Sequence, residues 1–349
     1  MEFLEERIGE VIRQIGLLRY GAVWPIKEWI CKSNPDHPAD VKEISGDPDA
    51  RIFRNDEYWG RTEKYYGFVS TVRIGKEQAG RELQFSLTTG REGEWDATNP
   101  QFLLYVNGEI RQGMDVNHRD CRLGVLQAGD EIRLALQAYA GENGVDLKLK
   151  GCIRVLYPQV EQYYYDLLIP YQTACLLDQN DKTYWNIINS LNESINLLDL
   201  RVPHSEAFEE SLQTASDYFQ KKFYGELCGS GEDGTQPDIK KGQALIYCVG
   251  HTHIDVAWLW TLAVTRQKAV RSFATVVNLM EQYPEYIFMS SQPQLYQYVK
   301  EDAPELYEKI KELVKQGRWE VEGSMWLEPD CNIPSGEAFV RQFLYGKRF

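Results

Sequence analysis

Residues 244–260 read ALIYCVGHTHIDVAWLW, and the fold of the C-terminal third turns on them. The first seven form an unbroken apolar run, the pattern of a strand covered on both faces in a parallel sheet. Downstream, helical spacing over 256–282 leads to YIFMSS (286–291), then to helical spacing over 293–316 and RWEVEGSM (318–325). Strands alternating with long helices predict βαβ units, a parallel sheet and right-handed crossovers.

Upstream the texture differs. RELQFSLTTG (81–90), QFLLYVNGEI (101–110), DEIRLALQAYA (130–140) and DLKLKGCIRVLY (146–157) are short runs divided by Gly, Asn and Asp. Many short strands without intervening helices predict an antiparallel β-sandwich. Asn107-Gly108 suits a type I′ hairpin, whose two central residues both need positive φ. Residues 2–18 carry the spacing of an amphipathic helix, and a polar stretch follows around 33–50. Residues 159–226 are helical in texture, with Pro170 expected to kink or break a helix. The glycine-rich 228–242 reads as an exposed linker. The expected organisation is α/β and multidomain: an N-terminal helical segment (1–50), a jelly-roll-like antiparallel β-sandwich (51–158), a helical connector with linker (159–242), and the first strands and helices of a barrel-like domain (243–349).

Composition narrows the function classes. At 349 residues the chain exceeds one ordinary domain. Its net charge of −14 repels phosphate backbones and anionic lipid, which sets aside nucleic-acid and membrane-surface roles. The N-terminus MEFLEERIGEVIRQI has no signal-peptide character, and no segment is apolar and long enough to span a bilayer. Seven scattered cysteines without a CxxC pair fit reduced thiols, hence a cytoplasmic location. Nine Trp and twenty-one Tyr can stack on sugar faces, but they also fill cores and interfaces, so a homo-oligomer is an expectation too.

The chemistry concentrates at 250–258, GHTHIDVAW, where the first parallel strand gives way to its helix. In extended backbone, side chains two apart share a face, so His251, His253 and Asp255 point the same way. Two imidazoles and a carboxylate converging there can hold a zinc-type cation. The C-terminal ends of parallel strands are also where α/β sites gather. The plainer alternative is that Asp255 caps the following helix and His251 is a satisfied core histidine. A second stretch, GSMWLEPDCN (323–332), crowds Glu320, Glu322, Glu328 and Asp330 at the end of the third strand, where a carboxylate suits a nucleophile or metal ligand. A Pro-Asp turn with solvated acids explains that stretch equally well. Ser290-Ser291-Gln292-Pro293 ends the second strand and could also face the site; helix initiation by Ser or Pro explains it equally well.

Together GHTHIDVAWLW (250–260), SSQPQLYQYVKE (290–301) and GSMWLEPDCNIPSGEAFVRQ (323–342) resemble the glycoside hydrolase family 38 α-mannosidases, the intracellular branch in particular. GEIRQGMDVNHRD (108–120) resembles the β-sandwich that precedes the barrel in that branch. The resemblance implies a zinc-dependent retaining α-mannosidase built on a (β/α)7-type catalytic domain, acting on mannose-containing oligosaccharides. It implies His253, Asp255 and Asp330 as zinc ligands, with Asp330 also the nucleophile, and Trp258 stacked under the mannose ring. The family's fourth ligand is a histidine, and this chain has none after His253. The family's general acid also comes from farther along, so the expectation is an N-terminal fragment with an incomplete site, inactive alone.

Two rivals stand beside it. An amidohydrolase-type metal hydrolase would use His251 and His253 jointly and leave Asp330 incidental. A carbohydrate-binding module would use Trp59, Tyr65, Tyr66 and Trp95 of the sandwich as an exposed glycan platform; buried rings would favour a scaffold.

Overall fold

A computed structural model describes residues 2–62, 64–94, 99–142, 144–227 and 246–349. Trp95 and the expected linker at 228–242 lie outside the described residues.

The antiparallel pattern folds as two sheets. One runs β1 (Tyr20–Ile26), β10 (Lys150–Leu156), β5 (Glu82–Thr88), β8 (Asp120–Val125). The other runs β3 (Arg51–Arg54), β2 (Glu28–Asn34), β4 (Tyr65–Arg73), β9 (Glu131–Tyr139), β6 (Gln101–Val106), β7 (Glu109–Met114). Alternate residues turn inward, so Phe68, Phe85, Phe102, Leu134, Leu136 and Ile153 meet in one core. Asn107 and Gly108 take φ of 54° and 89°, and the β6–β7 hairpin closes on them as the dipeptide predicts.

The sandwich also draws on chain before position 51, where only a helical segment was expected. β2 pairs with β4, and β1 pairs with β10 at the open edge of its sheet. An edge strand tolerates Pro25, which has no N–H to donate; that proline and the short run length hide β1 from a periodicity search.

Helix α1 (Glu2–Leu18) joins α2 (Pro158–Ala174), α3 (Lys182–Ile195) and α4 (Glu206–Phe219), burying Ile8, Ile12 and Ile15 against Tyr163, Leu167 and Leu191. Pro170 neither breaks nor ends α2. A proline there frees the carbonyl four residues back, and the Tyr224 hydroxyl donates to that Asp166 carbonyl at 3.3 Å.

The C-terminal segment carries three parallel strands in the order β11 (Gly250–His251), β12 (Phe288–Ser290), β13 (Trp319–Val321). Helices α5 (Leu262–Gln282), α6 (Pro293–Asp302), α7 (Pro304–Lys315) and α8 (Gly336–Arg348) accompany them. Phe273, Phe288, Leu295, Val299 and Trp319 form the core. Of the run expected as a strand over 244–250, residues 244–245 lie outside the described residues; among the others only Gly250 pairs, and Ile246 and Tyr247 are 80% and 78% exposed. A parallel strand needs cover on both faces, and β11 is an edge here. No helix among the described residues is long and apolar enough to cross a membrane.

The sandwich and this segment meet where α5 lies on β7. Gly113 N–H donates to Thr275 Oγ1 at 3.0 Å, and Asn278 Nδ2 to Gln112 Oε1 at 2.6 Å. A Cβ on Gly113 would stand 2.9 Å from Arg271 Cβ and 3.0 Å from its carbonyl oxygen, so only glycine allows this approach.

Candidate active site

β11 ends after His251, and residues 252–261 run as an irregular loop before α5 begins. The helix cap is Thr261, whose side chain accepts from Val264 N–H, so Asp255 is not spent on capping. Instead Asp255 Oδ1 lies 3.1 Å from His253 Nε2, with both side chains about half exposed. His251 turns elsewhere. Its Nδ1 sits 3.0 Å from the Met289 carbonyl, and it borders a cavity of about 330 Å³ shared with Asp115 and Arg271. Arg271 there is buried and bonds Gln101 Oε1; loss of solvent pulls its pKa down to about 10. The structure thus separates two histidines that spacing left equivalent.

Two strand-end segments close around the His253–Asp255 pair. Glu328 Oε2 lies 3.4 Å from His253 Nδ1, the ring nitrogen opposite the one facing Asp255. Ser291 Oγ donates to the other oxygen of Glu328. Gln292 is buried and has φ 66°, a left-handed conformation costly for a residue with a Cβ. Its Nε2 donates to the Ile254 carbonyl at 3.0 Å, and its Oε1 accepts from Glu328 N–H at 3.4 Å. One side chain therefore spans the loop after β11 and the loop after β13. The latter loop is held on its far side by Gln342, whose Oε1 accepts from Leu327 N–H at 2.9 Å. Spacing does not reveal these clamps; Glu328 is legible only as one of four acids, and Gln292 only within a strand-end stretch that could face the site or simply start a helix.

Asp330 is exposed, and its Oδ1 accepts from Asn332 N–H at 2.9 Å within its own turn. Trp258 is 55% exposed and borders a cavity of about 490 Å³ with Tyr139 and Glu142 of the sandwich. It packs edge-on against Trp260, whose Nε1 donates to the Asp255 carbonyl at 3.3 Å.

Does this donor set suit zinc? Two donors about 2.0–2.1 Å from a tetrahedral ion stand about 3.3 Å apart, close to the 3.1 Å between His253 Nε2 and Asp255 Oδ1. A carboxylate on the second ring nitrogen is the usual support of a metal-bound histidine. The pair fits two adjacent coordination positions. Among the described residues, however, no group of three or more His, Cys, Asp or Glu is arranged to hold a metal.

Comparison with known proteins gives the class. Residues 243–349 match the Glycosyl hydrolases family 38 N-terminal domain. That match spans residues 243–349 and not the rest of the chain. The chain is 50% identical over 109 residues to "Alpha-mannosidase G" of Dictyostelium discoideum, covering 31% of this chain and 10% of that protein. It is 34% identical over 197 residues to "Alpha-mannosidase 2C1" of Homo sapiens (56% and 17%) and 45% identical over 105 residues to "Alpha-mannosidase" of Saccharomyces cerevisiae (30% and 10%). The chain thus spans between about a tenth and a sixth of the length of these relatives. Among solved structures, a Ruminococcus gnavus β-glucuronidase aligns over 39% of this chain and 30% of its own at 9% identity, with a TM-score of only 0.28. The match to glycosyl hydrolases and the contact of His251 with the Met289 carbonyl both speak against an amidohydrolase-type centre.

Proposed function

We propose that this chain supplies the nucleophile-bearing part of a retaining α-mannosidase that removes terminal α-linked mannose from oligosaccharides. The family 38 domain over 243–349 carries the proposal, and the His253–Asp255 pair at the end of β11 supports it. On this reading 243–349 is the start of a (β/α)7-type catalytic domain. The sandwich is a scaffold rather than a glycan-binding module, because Trp59, Tyr65 and Tyr66 are buried.

His253, Asp255 and Asp330 would hold a zinc ion, which would supply a Lewis-acidic grip on vicinal sugar hydroxyls. The Asp330 carboxylate attacks the anomeric carbon, and the bond to the leaving oxygen breaks as a second carboxyl group about 5 Å away donates its proton. Water then hydrolyses the glycosyl ester, returning Asp330 as a carboxylate and retaining the anomeric configuration. Trp258 offers its apolar face to the ring. For this, Asp330 has to stand with the His253–Asp255 pair as a group of three, which the described residues do not form. As it stands, the chain alone is expected to bind zinc weakly and not to turn over. Six described cysteines are free thiols, which supports a cytoplasmic setting; a homo-oligomer belongs to the same proposal on aromatic content alone.

The test is hydrolysis of an aryl α-mannoside by the intact enzyme carrying Asp330→Asn. Turnover should fall by at least about 10³-fold, as removal of a nucleophile does. Retained turnover would refute the nucleophile assignment. His253→Ala should lose metal and activity together, and loss of activity at unchanged zinc content would contradict its role as a ligand.

A further inference from the structure

The cavity of about 490 Å³ lies where the edge of the sandwich meets the start of α5. Part of its lining belongs to the loop that carries the His253–Asp255 pair: Trp258 and Leu259, 55% and 74% exposed, border it. The rest comes from a lip of the sandwich, with Asn99 ahead of β6 and Tyr139 and Glu142 at the end of β9. That lip is held in shape. Gly141 takes φ 104°, and a Cβ there would stand 2.8 Å from Asn99 Nδ2, so only glycine lets the two turns approach. Tyr65, Tyr139 and Val264 are buried together with Trp260 packed on them, which ties the lip to the first turn of α5. Trp260 Nε1 in turn donates to the Asp255 carbonyl at 3.3 Å.

Glu142 Oε2 accepts from Lys64, and its Oε1 accepts from the Tyr139 hydroxyl at 2.8 Å. Both contacts hold its carboxyl below the usual carboxylate range, and each oxygen keeps a further lone pair to offer. Apolar surface beside a few fixed polar groups is the composition of a small-molecule site. An anion would meet the Glu142 charge, and an apolar ligand would strip water from Glu142 and Asn99 without replacing it. A neutral ring with carbons on one side and hydroxyls around it meets both kinds of lining.

An enzyme that removes only terminal mannose meets its next sugar on the leaving side alone. We propose that this cavity holds that leaving-side sugar, with Leu259 against its carbons, Glu142 and Asn99 on its hydroxyls, and Trp258 shared with the terminal mannose. The proposal rests on the mannosidase reading above and gives the rim of the sandwich a part in choosing the substrate. Trp59, Tyr65 and Tyr66 stay inside as scaffold.

The experiment compares the intact enzyme with its Glu142→Ala variant on two substrates, with thermal melts alongside. One is α-mannobiose, whose leaving group is a sugar; the other is an aryl α-mannoside. Loss of a hydrogen bond to a charged group should lower kcat/KM for α-mannobiose about 10-fold more than for the aryl mannoside, mainly through KM. The Glu142 side chain is about half exposed, so the melting temperature should hold. An equal effect on both substrates would overturn the proposal; joined to a lower melting temperature, it would make the cavity a seat for another stretch of polypeptide. If the wild type cleaves neither substrate, the mannosidase reading fails on its own, and α-mannobiose titrated into the chain, followed by Trp fluorescence, decides the cavity. A saturable change that needs about 10-fold more sugar in Glu142→Ala would keep the sugar site. No saturable change, or equal affinity in both proteins, would overturn it.

Discussion

In the sandwich, Phe68, Phe85, Phe102, Leu134, Leu136 and Ile153 are sealed between sheets of six and four strands. In the parallel segment, each of three strands contributes two or three residues, and Ile246, Tyr247, Val321, Ile333 and Val340 remain exposed. Both regions are written in strand-forming residues. What separates them is cover, since an apolar run becomes a strand only where neighbours take its hydrogen bonds and both its faces. The candidate chemistry lies on the poorly covered side. There, side-chain hydrogen bonds of Ser291, Gln292 and Gln342 hold the loops, while the segment's core is Phe273, Phe288, Leu295, Val299 and Trp319.

That contrast breaks or holds first at Phe102, which has no exposed surface and lies 5.7 Å from Trp59, centroid to centroid. Phe102→Ala should destabilise the sandwich by about 3–5 kcal/mol, through lost burial and the cavity left behind, measured by urea unfolding. A cost under about 1 kcal/mol would mean that the sandwich is no better packed than the segment beside it. Next comes Gly113, where the two regions touch. Gly113→Val would push a side chain into Arg271 and should cost about 1–3 kcal/mol, as overpacking does. Hydrogen exchange should rise in α5 more than in β4 and β9; an unchanged α5 would show that the junction is not seated through this glycine.

The sequence made most of the sandwich legible because alternation and the Asn107-Gly108 turn are local signals. It failed at β1 and β2, where Pro25 and two seven-residue runs give periodicity too little length to register. Pro170 misled because its cost depends on whether a distant group, here the Tyr224 hydroxyl, takes up the freed carbonyl. At the site, His253 and Asp255 were visible as donors two residues apart. The divergence of His251 was not, because it follows from β11 stopping at that residue so that the alternation expected of a longer strand ends there. The contacts of Glu328 and Gln292 join residues more than thirty positions apart, which no local pattern encodes.

The smallest expected effect lies on α8. Its apolar residues Val340, Phe343, Leu344 and Tyr345 are all exposed, and no residue of the helix is buried. The helix is nonetheless seated, because its Gln342 carbonyl accepts from Trp326 N–H at 3.0 Å and a Cβ at Gly346 would overlap the Ser324 carbonyl. If backbone contacts rather than apolar burial fix α8, Phe343→Ser removes little that the fold uses. The expected change is within about 0.5 kcal/mol in urea unfolding, an order of magnitude below Phe102→Ala. A loss of more than about 2 kcal/mol would place Phe343 in a core and erase the difference between the two regions at the one helix where it is most exposed to test.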